Sequence, residues 1–203
     1  MKKWSHLLPS LFLFLLFVIP LKAQTPISVG TRVPMITHKM EDVSGRNISL
    51  GEVADQNGLL VIFSCNTCPV VMRMEDRYAQ LSSLARSNRI GMIAINSNEA
   101  YRDRGDGFDD MVKRAQKMDY NFNYVLDEGH KVADAFGANK TPHVFLFNGD
   151  MELVYSGSID DNPNNAASVK QHYLRDAINQ LINGETISKS SSNTQGCSIK
   201  RVG

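Results

Sequence analysis

Two cysteines with two residues between them, Cys65-Asn66-Thr67-Cys68, stand directly before Pro69 in a chain of 203 residues whose one other cysteine is Cys197. A dithiol at that spacing can close to a disulfide and reopen, exchanging two electrons with another thiol pair. The attacking sulfur must be a thiolate, and a cysteine pKa falls from about 8.5 toward roughly 3.5–7.5 at a helix N-terminus, where unpaired N–H groups and the positive dipole end face it. Three positions along a helix advance about 4.5 Å and return to nearly the same face, which suits a disulfide. The expectation is Cys65 as the exposed nucleophile and Cys68 as the shielded sulfur that resolves a mixed disulfide. A structural zinc site is a competing use, but it wants four ligands, and neither a second C-x-x-C nor paired histidines follow.

That chemistry depends on what holds the pair. Upstream, Gly58 to Ser64 has a continuous apolar core and reads as a strand covered on both faces of a parallel sheet. Downstream, Val71, Met74, Tyr78, Leu81 and Ala85 recur at helical spacing and predict a helix from about Asn66 to Arg86, with Pro69 in a first turn where it forfeits no bond. A second buried strand is expected at Ile90 to Ile95, then an amphipathic helix through Phe108, Met111, Val112, Ala115 and Met118. A short apolar stretch at Phe122 to Leu126 leads to a brief helix around His130 to Phe136. Two short strands, Met35 to Met40 and Asn47 to Leu50, flank Gly45 ahead of all of these.

The last third changes pattern. His143 to Phe147 and Glu152 to Ser156 surround Asn148-Gly149-Asp150 and read as a β-hairpin. A final helix is expected from near Ser168, with Ser168 and Gln171 as a capping box and Gly184 as its stop. Residues 188–194 are polar and Ser-rich, which predicts a mobile tail carrying Cys197. The alternation of strand and helix, closed by a hairpin and a helix, gives an α/β sandwich with a mixed central sheet and helices on both faces. One domain is expected over residues 24–187, with a flexible tail over 188–203.

Five segments carry a resemblance: the apolar strand into Cys65-Asn66-Thr67-Cys68-Pro69; Ala94-Ile95-Asn96-Ser97-Asn98; Thr141-Pro142, with Pro142 standing 77 residues after Cys65; the hairpin Val144 to Gly157 with Ile159-Asp160-Asp161; and Gly196-Cys197-Ser198-Ile199-Lys200. Over about Val33 to Lys200 the chain resembles the thioredoxin superfamily, in its exported peroxiredoxin-like (redoxin, AhpC/TSA-type) branch. The resemblance implies a thioredoxin-like three-layer sandwich, a cis Pro142, a Thr141 backbone that helps hold a partner's chain, and Cys197 as a possible third redox thiol. It also has departures. Asn66 and Thr67 replace the Gly-Pro of thioredoxin and Ser64 replaces its Trp, so the redox direction stays open. Peroxiredoxins place a Thr three residues before the peroxide-attacking cysteine, whereas Cys65 stands three before Cys68 and Ile62 three before Cys65.

Lys plus Arg total 22 against 21 Asp plus Glu, too even for a nucleic-acid binder that works by displacing counterions. Residues 1–23 join Lys2 and Lys3 to an apolar run from Leu7 to Ile19 and end on Ala23, the pattern of a cleaved export signal; a retained anchor is the alternative, against which the run is short of about 20 residues and broken by Pro9 and Ser10. With three cysteines in all, an exported chain uses them for chemistry before stability. The expectation is an exported, periplasmic or secreted, thiol-disulfide oxidoreductase acting on protein or small-molecule thiols and disulfides. It would need an upstream electron donor or acceptor and no organic cofactor or metal. Two alternatives are a copper-binding thioredoxin-like chaperone, using the two cysteines and His143, and a peroxiredoxin-type peroxidase. His143 otherwise reads as a core-edge histidine and Met74 as core, while Asn96, Glu99, Asp127 and Glu128 read as solvated loop polars.

Overall fold

The computed structural model describes residues 25–202, so the export signal expected over residues 1–23 lies outside the described residues. Strands β1 (Lys39–Asp42) and β2 (Asn47–Ser49) pair antiparallel, and a one-turn helix α1 (Leu50–Val53) follows at once. Ser49 donates its N–H and its hydroxyl to the Glu52 carboxylate at 2.8 and 2.9 Å, which starts that helix. In chain order there follow β3 (Gly58–Ser64), α2 (Pro69–Met74), α3 (Asp76–Ser87), β4 (Ile90–Asn96), α4 (Phe108–Lys117), β5 (Asn123–Leu126) and α5 (Lys131–Phe136). The chain ends with β6 (Lys140–Thr141), β7 (His143–Phe147), β8 (Leu153–Gly157), α6 (Tyr173–Ile182) and β9 (Cys197–Ser198).

Seven strands form one mixed sheet in the order β2-β1-β5-β4-β3-β7-β8, with β3, β4 and β5 mutually parallel and the outer pairings antiparallel. The central strand β3 is apolar throughout because its alternate side chains enter two different cores. Leu59, Val61 and Phe63 pack with Leu50 of α1 and Val132 and Phe136 of α5. Leu60 and Ile62 face the other way, onto Tyr78 and Leu81 of α3 and Leu174 and Ile178 of α6. Each such fully buried side chain stabilises the fold by about 1.5–3 kcal/mol. Gly91 interrupts the apolar run of β4 for a steric reason: a Cβ there would lie 1.9 Å from the Val53 carbonyl oxygen at the end of α1.

Three expectations are corrected. The helix after the cysteines begins at Pro69 and not at Asn66. A residue before proline is driven out of the helical region, and Cys68 accordingly sits extended at φ −79°, ψ 119°. The same helix is divided at Glu75, where a tight turn bonds Tyr78 N–H to the Glu75 carbonyl and the buried Glu75 carboxylate receives Arg114 and Tyr120. The last helix starts at Tyr173, because Ala166–Ser168 make a separate 3-10 turn capped by Asn165 and residues 169–171 then run beside Asp161, whose carboxylate takes the Lys170 N–H. Finally, the Ser-rich tail has defined partners. Ser191 bridges to Ser156 of β8, β9 pairs antiparallel with β6, and Ile199 enters the core. Its backbone pairs with the edge of β8, with the Ser156 N–H on the Ser190 carbonyl and the Ser192 N–H on the Ser156 carbonyl, which a composition argument cannot see.

Candidate active site

The two sheet neighbours of β3 set the site. The pairing of β7 with β3 places His143 opposite Phe63, which brings Thr141 and Pro142 beside the residues that leave β3 at Ser64. The Thr141–Pro142 peptide is cis, as the resemblance implies. Cys65 Sγ lies 3.2 Å from Thr141 Oγ1, and Cys68 Sγ lies 3.3 Å from the Thr141 carbonyl oxygen. Cys65, Cys68 and Val71 form a small apolar cluster of their own, with Val70 and Cys197 packed against it. All five residues expected from the sequence to matter, Cys65, Cys68, Thr141, Pro142 and Cys197, meet here.

The roles expected of the two sulfurs differ from what their positions favour. Cys68, not Cys65, is the N-cap of α2. Its thiol is held well below the usual range, first by the hydrogen bond from Cys65 and further by the Val71 amide and by the thiol and amide of Cys197. Burial opposes this, as does the Thr141 carbonyl, which accepts only from the protonated thiol. Cys65 is pushed up, first by that same hydrogen bond to Cys68, then by burial, then by the Asp106 charge. The exposure expected at Cys65 is absent too: Cys65 is 1% exposed and Cys68 2%, and Cys197 of β9 packs against the cluster they form with Val71.

One residue that sequence reasoning passed over organises the loop. Asp106 is fully buried, and its Oδ1 accepts the Asn66 N–H at 2.6 Å and Asn96 Nδ2 at 3.0 Å, while its Oδ2 accepts the Thr67 hydroxyl at 2.7 Å and Asn98 Nδ2 at 2.9 Å. An acid between Gly105 and Gly107 reads as a solvated turn; nothing local shows that it reaches back 40 residues. Asn96 and Asp127, expected as solvated, are also fully buried. The Asp127 carboxylate takes the Ser97 hydroxyl and the Val132 and Ala133 amides, which caps α5. Glu99 accepts the Gly129 N–H at 2.8 Å.

His143 is 2% exposed and shares a hydrogen bond between Nε2 and Ser156 Oγ at 3.1 Å, while its Nδ1 has no partner among the described residues. Burial, aided by Lys140, depresses its pKa to about 4, so the ring is neutral at physiological pH. Among the described residues no group of three or more His, Cys, Asp and Glu is placed to hold a metal ion. A cavity of about 440 Å³ lies away from the sulfurs, beside Arg77, Asp160 and His172.

Comparison with known proteins agrees with the fold. An uncharacterized conserved protein from Geobacillus kaustophilus superposes with a TM-score of 0.79 at 31% identity, covering 85% of this chain and 92% of that one. The thioredoxin domain of a thiol-disulfide oxidoreductase from Bacteroides vulgatus shares the fold, with a TM-score of 0.55 at 17% identity over 70% of this chain and 96% of that one. A curated relative, thiol-disulfide oxidoreductase ResA of Halalkalibacterium halodurans, is 26% identical over 125 residues, which is 60% of this chain and 66% of the length of ResA. The model of the AhpC/TSA family matches residues 29–156, well over half of the sequence. On its sequence and its thioredoxin-like mixed α/β architecture, this chain belongs to the AhpC/TSA family.

Proposed function

We propose that the protein is an exported thiol-disulfide oxidoreductase that works through Cys65 and Cys68. The observation that carries this reading is the meeting of both sulfurs with Thr141 at the head of α2, with Cys68 as its cap. The Cys68 thiolate attacks one sulfur of a partner disulfide and expels the other as a thiolate, which takes up a proton. Cys65 then attacks the Cys68 sulfur of the mixed disulfide. The partner leaves as its second thiol, and the Cys65–Cys68 bond closes, so the partner gains the two electrons that the dithiol loses. The steps reverse for a dithiol partner. Partners are protein or small-molecule thiols and disulfides, with a separate electron donor or acceptor to reset the pair. Export rests on residues 1–23, and N-terminal sequencing of the mature protein tests it. Among the described residues no helix is long and apolar enough to cross a membrane.

The test is disulfide reduction by single variants. Cys68→Ser should abolish it, and Cys65→Ser should slow it, because the first resolving thiol is gone. Unchanged turnover in either variant would end this reading. Family membership favours a second reading, peroxide reduction. The Cys68 thiolate would then break the O–O bond, releasing water or an alcohol and leaving a sulfenic acid, which Cys65 would convert to the same disulfide with loss of water. A second-order rate with hydrogen peroxide well above that with small disulfides would select it.

A further inference from the structure

The tail reaches the pair in a specific register. In the antiparallel pairing of β9 with β6, Cys197 stands opposite Thr141 and Ser198 opposite Lys140. Thr141 is the residue whose hydroxyl and carbonyl touch Cys65 and Cys68, so the strand that covers the site also delivers a third sulfur to it. Cys197 packs against the cluster of Cys65, Cys68 and Val71, and the structure holds all three cysteines as free thiols. The approach needs a bare backbone next to it: a Cβ on Gly196 would lie 2.1 Å from the Thr141 carbonyl oxygen. The strand is fastened on both sides. Before it, Lys140 Nζ bonds the Thr194 carbonyl at 3.0 Å; after it, the Ile199 N–H bonds the Asn139 carbonyl at 3.1 Å and the Lys200 N–H bonds Asn98 Oδ1 at 2.9 Å.

We propose that β9 is a tethered partner and that Cys197 exchanges with Cys68, not with Cys65, so that a Cys68–Cys197 disulfide carries oxidising equivalents between the buried pair and thiols outside. The inference rests on the exchange chemistry assigned to Cys65 and Cys68 and adds a stage to it. Once an external disulfide has converted the pair to Cys65–Cys68, the Cys197 thiolate attacks the Cys68 sulfur. The Cys65–Cys68 bond breaks, the Cys68–Cys197 bond forms, and Cys65 leaves as a thiolate that takes up the proton Cys197 released. Net oxidation state is unchanged in this stage. An outside thiolate then attacks the half-buried Cys197 and expels Cys68, the better leaving group of the two because its thiolate is the more stabilised. A second outside thiol frees Cys197 and departs in a disulfide with the first, which completes the two-electron transfer.

The test uses the full chain, reduced and then exposed to oxidised glutathione, followed by thiol blocking, digestion and mass spectrometry. In the Cys65→Ser protein the expected product is a linked pair of peptides joining Cys68 to Cys197, with no glutathione retained. Adding Cys197→Ser should leave glutathione as a stable mixed disulfide on Cys68. Adding Gly196→Val instead, which forces the strand off Thr141, should lower the yield of the linked peptides by roughly tenfold, as the effective concentration of the tethered thiol drops. Glutathione held on Cys68 of the Cys65→Ser protein, with Cys197 still free, would overturn the inference while leaving the Cys65–Cys68 exchange of the parent intact. If the parent itself forms no intrachain disulfide, both readings fail together.

Discussion

Replacing Asp106 with alanine asks whether one carboxylate holds the cysteine loop. Four donors lose their acceptor: the Asn66 amide, the Thr67 hydroxyl and the side-chain amides of Asn96 and Asn98. Asn66 and Thr67 are half-buried and can turn to water, whereas Asn96 and Asn98 are at most 2% exposed. An orphaned buried donor costs about 1–3 kcal/mol, and bonds to a charged group sit at the strong end of the range. Two such orphans therefore cost about 4 kcal/mol, a large share of the 5–15 kcal/mol typical of a domain. Urea unfolding at neutral pH reads this directly as a lower midpoint at similar slope. Asp106→Asn isolates the charge, since it keeps the volume and one oxygen. Cys65 then loses one of the influences that push it up, and its alkylation rate at neutral pH should rise relative to Cys68. Asp106→Ala stability within about 1 kcal/mol of the parent would refute the network argument.

Other consequences are as direct. The neutral, buried His143 makes stability depend on acid: its pKa is about 4 when folded and 6.5 as the ordinary value, so the unfolded chain binds the extra proton between them and stability falls as pH drops through that window. The full loss is about 3 kcal/mol, and denaturant titrations at several pH values should show this component vanish in His143→Gln. Arg77 Nε meets Asp160 Oδ2 at 2.7 Å with both side chains less than a tenth exposed, so Asp160→Ala should cost about 3–5 kcal/mol by stranding a buried cation. Joint replacement of Arg77 with Met in that background should recover most of the loss; no recovery would show that the ion pair is not the cause. Gly91→Ala drives a methyl into the Val53 carbonyl and should lower the thermal midpoint by an amount equivalent to about 2 kcal/mol or more.

What the sequence revealed and what it hid divide by range. The strand at Gly58–Ser64 is found at its expected bounds, because an unbroken apolar run bounded by Gly and a polar exit is a local signal that burial on both faces enforces. The hairpin around Asn148 and Gly149 is likewise local, although the left-handed residue of its turn is Met151, at φ 59°. The start of α2 was legible in principle, since Pro69 restricts Cys68, but the C-x-x-C spacing suggested a helix running through both cysteines. The Asp106 clamp and the burial of Cys65 were not legible at all. Each depends on segments 40 to more than 120 residues distant in the chain, and the Ser-rich composition of the tail points toward disorder until β8 and β6 offer it an edge.

Cysteines that are 1% and 2% exposed impose a kinetic form on whatever reacts with them. If the covering strand must lift before contact, rates rise with reagent concentration only until lifting itself is limiting. Beyond that point chemically unrelated oxidants should converge on one common ceiling, set by this chain and indifferent to the identity of the attacker.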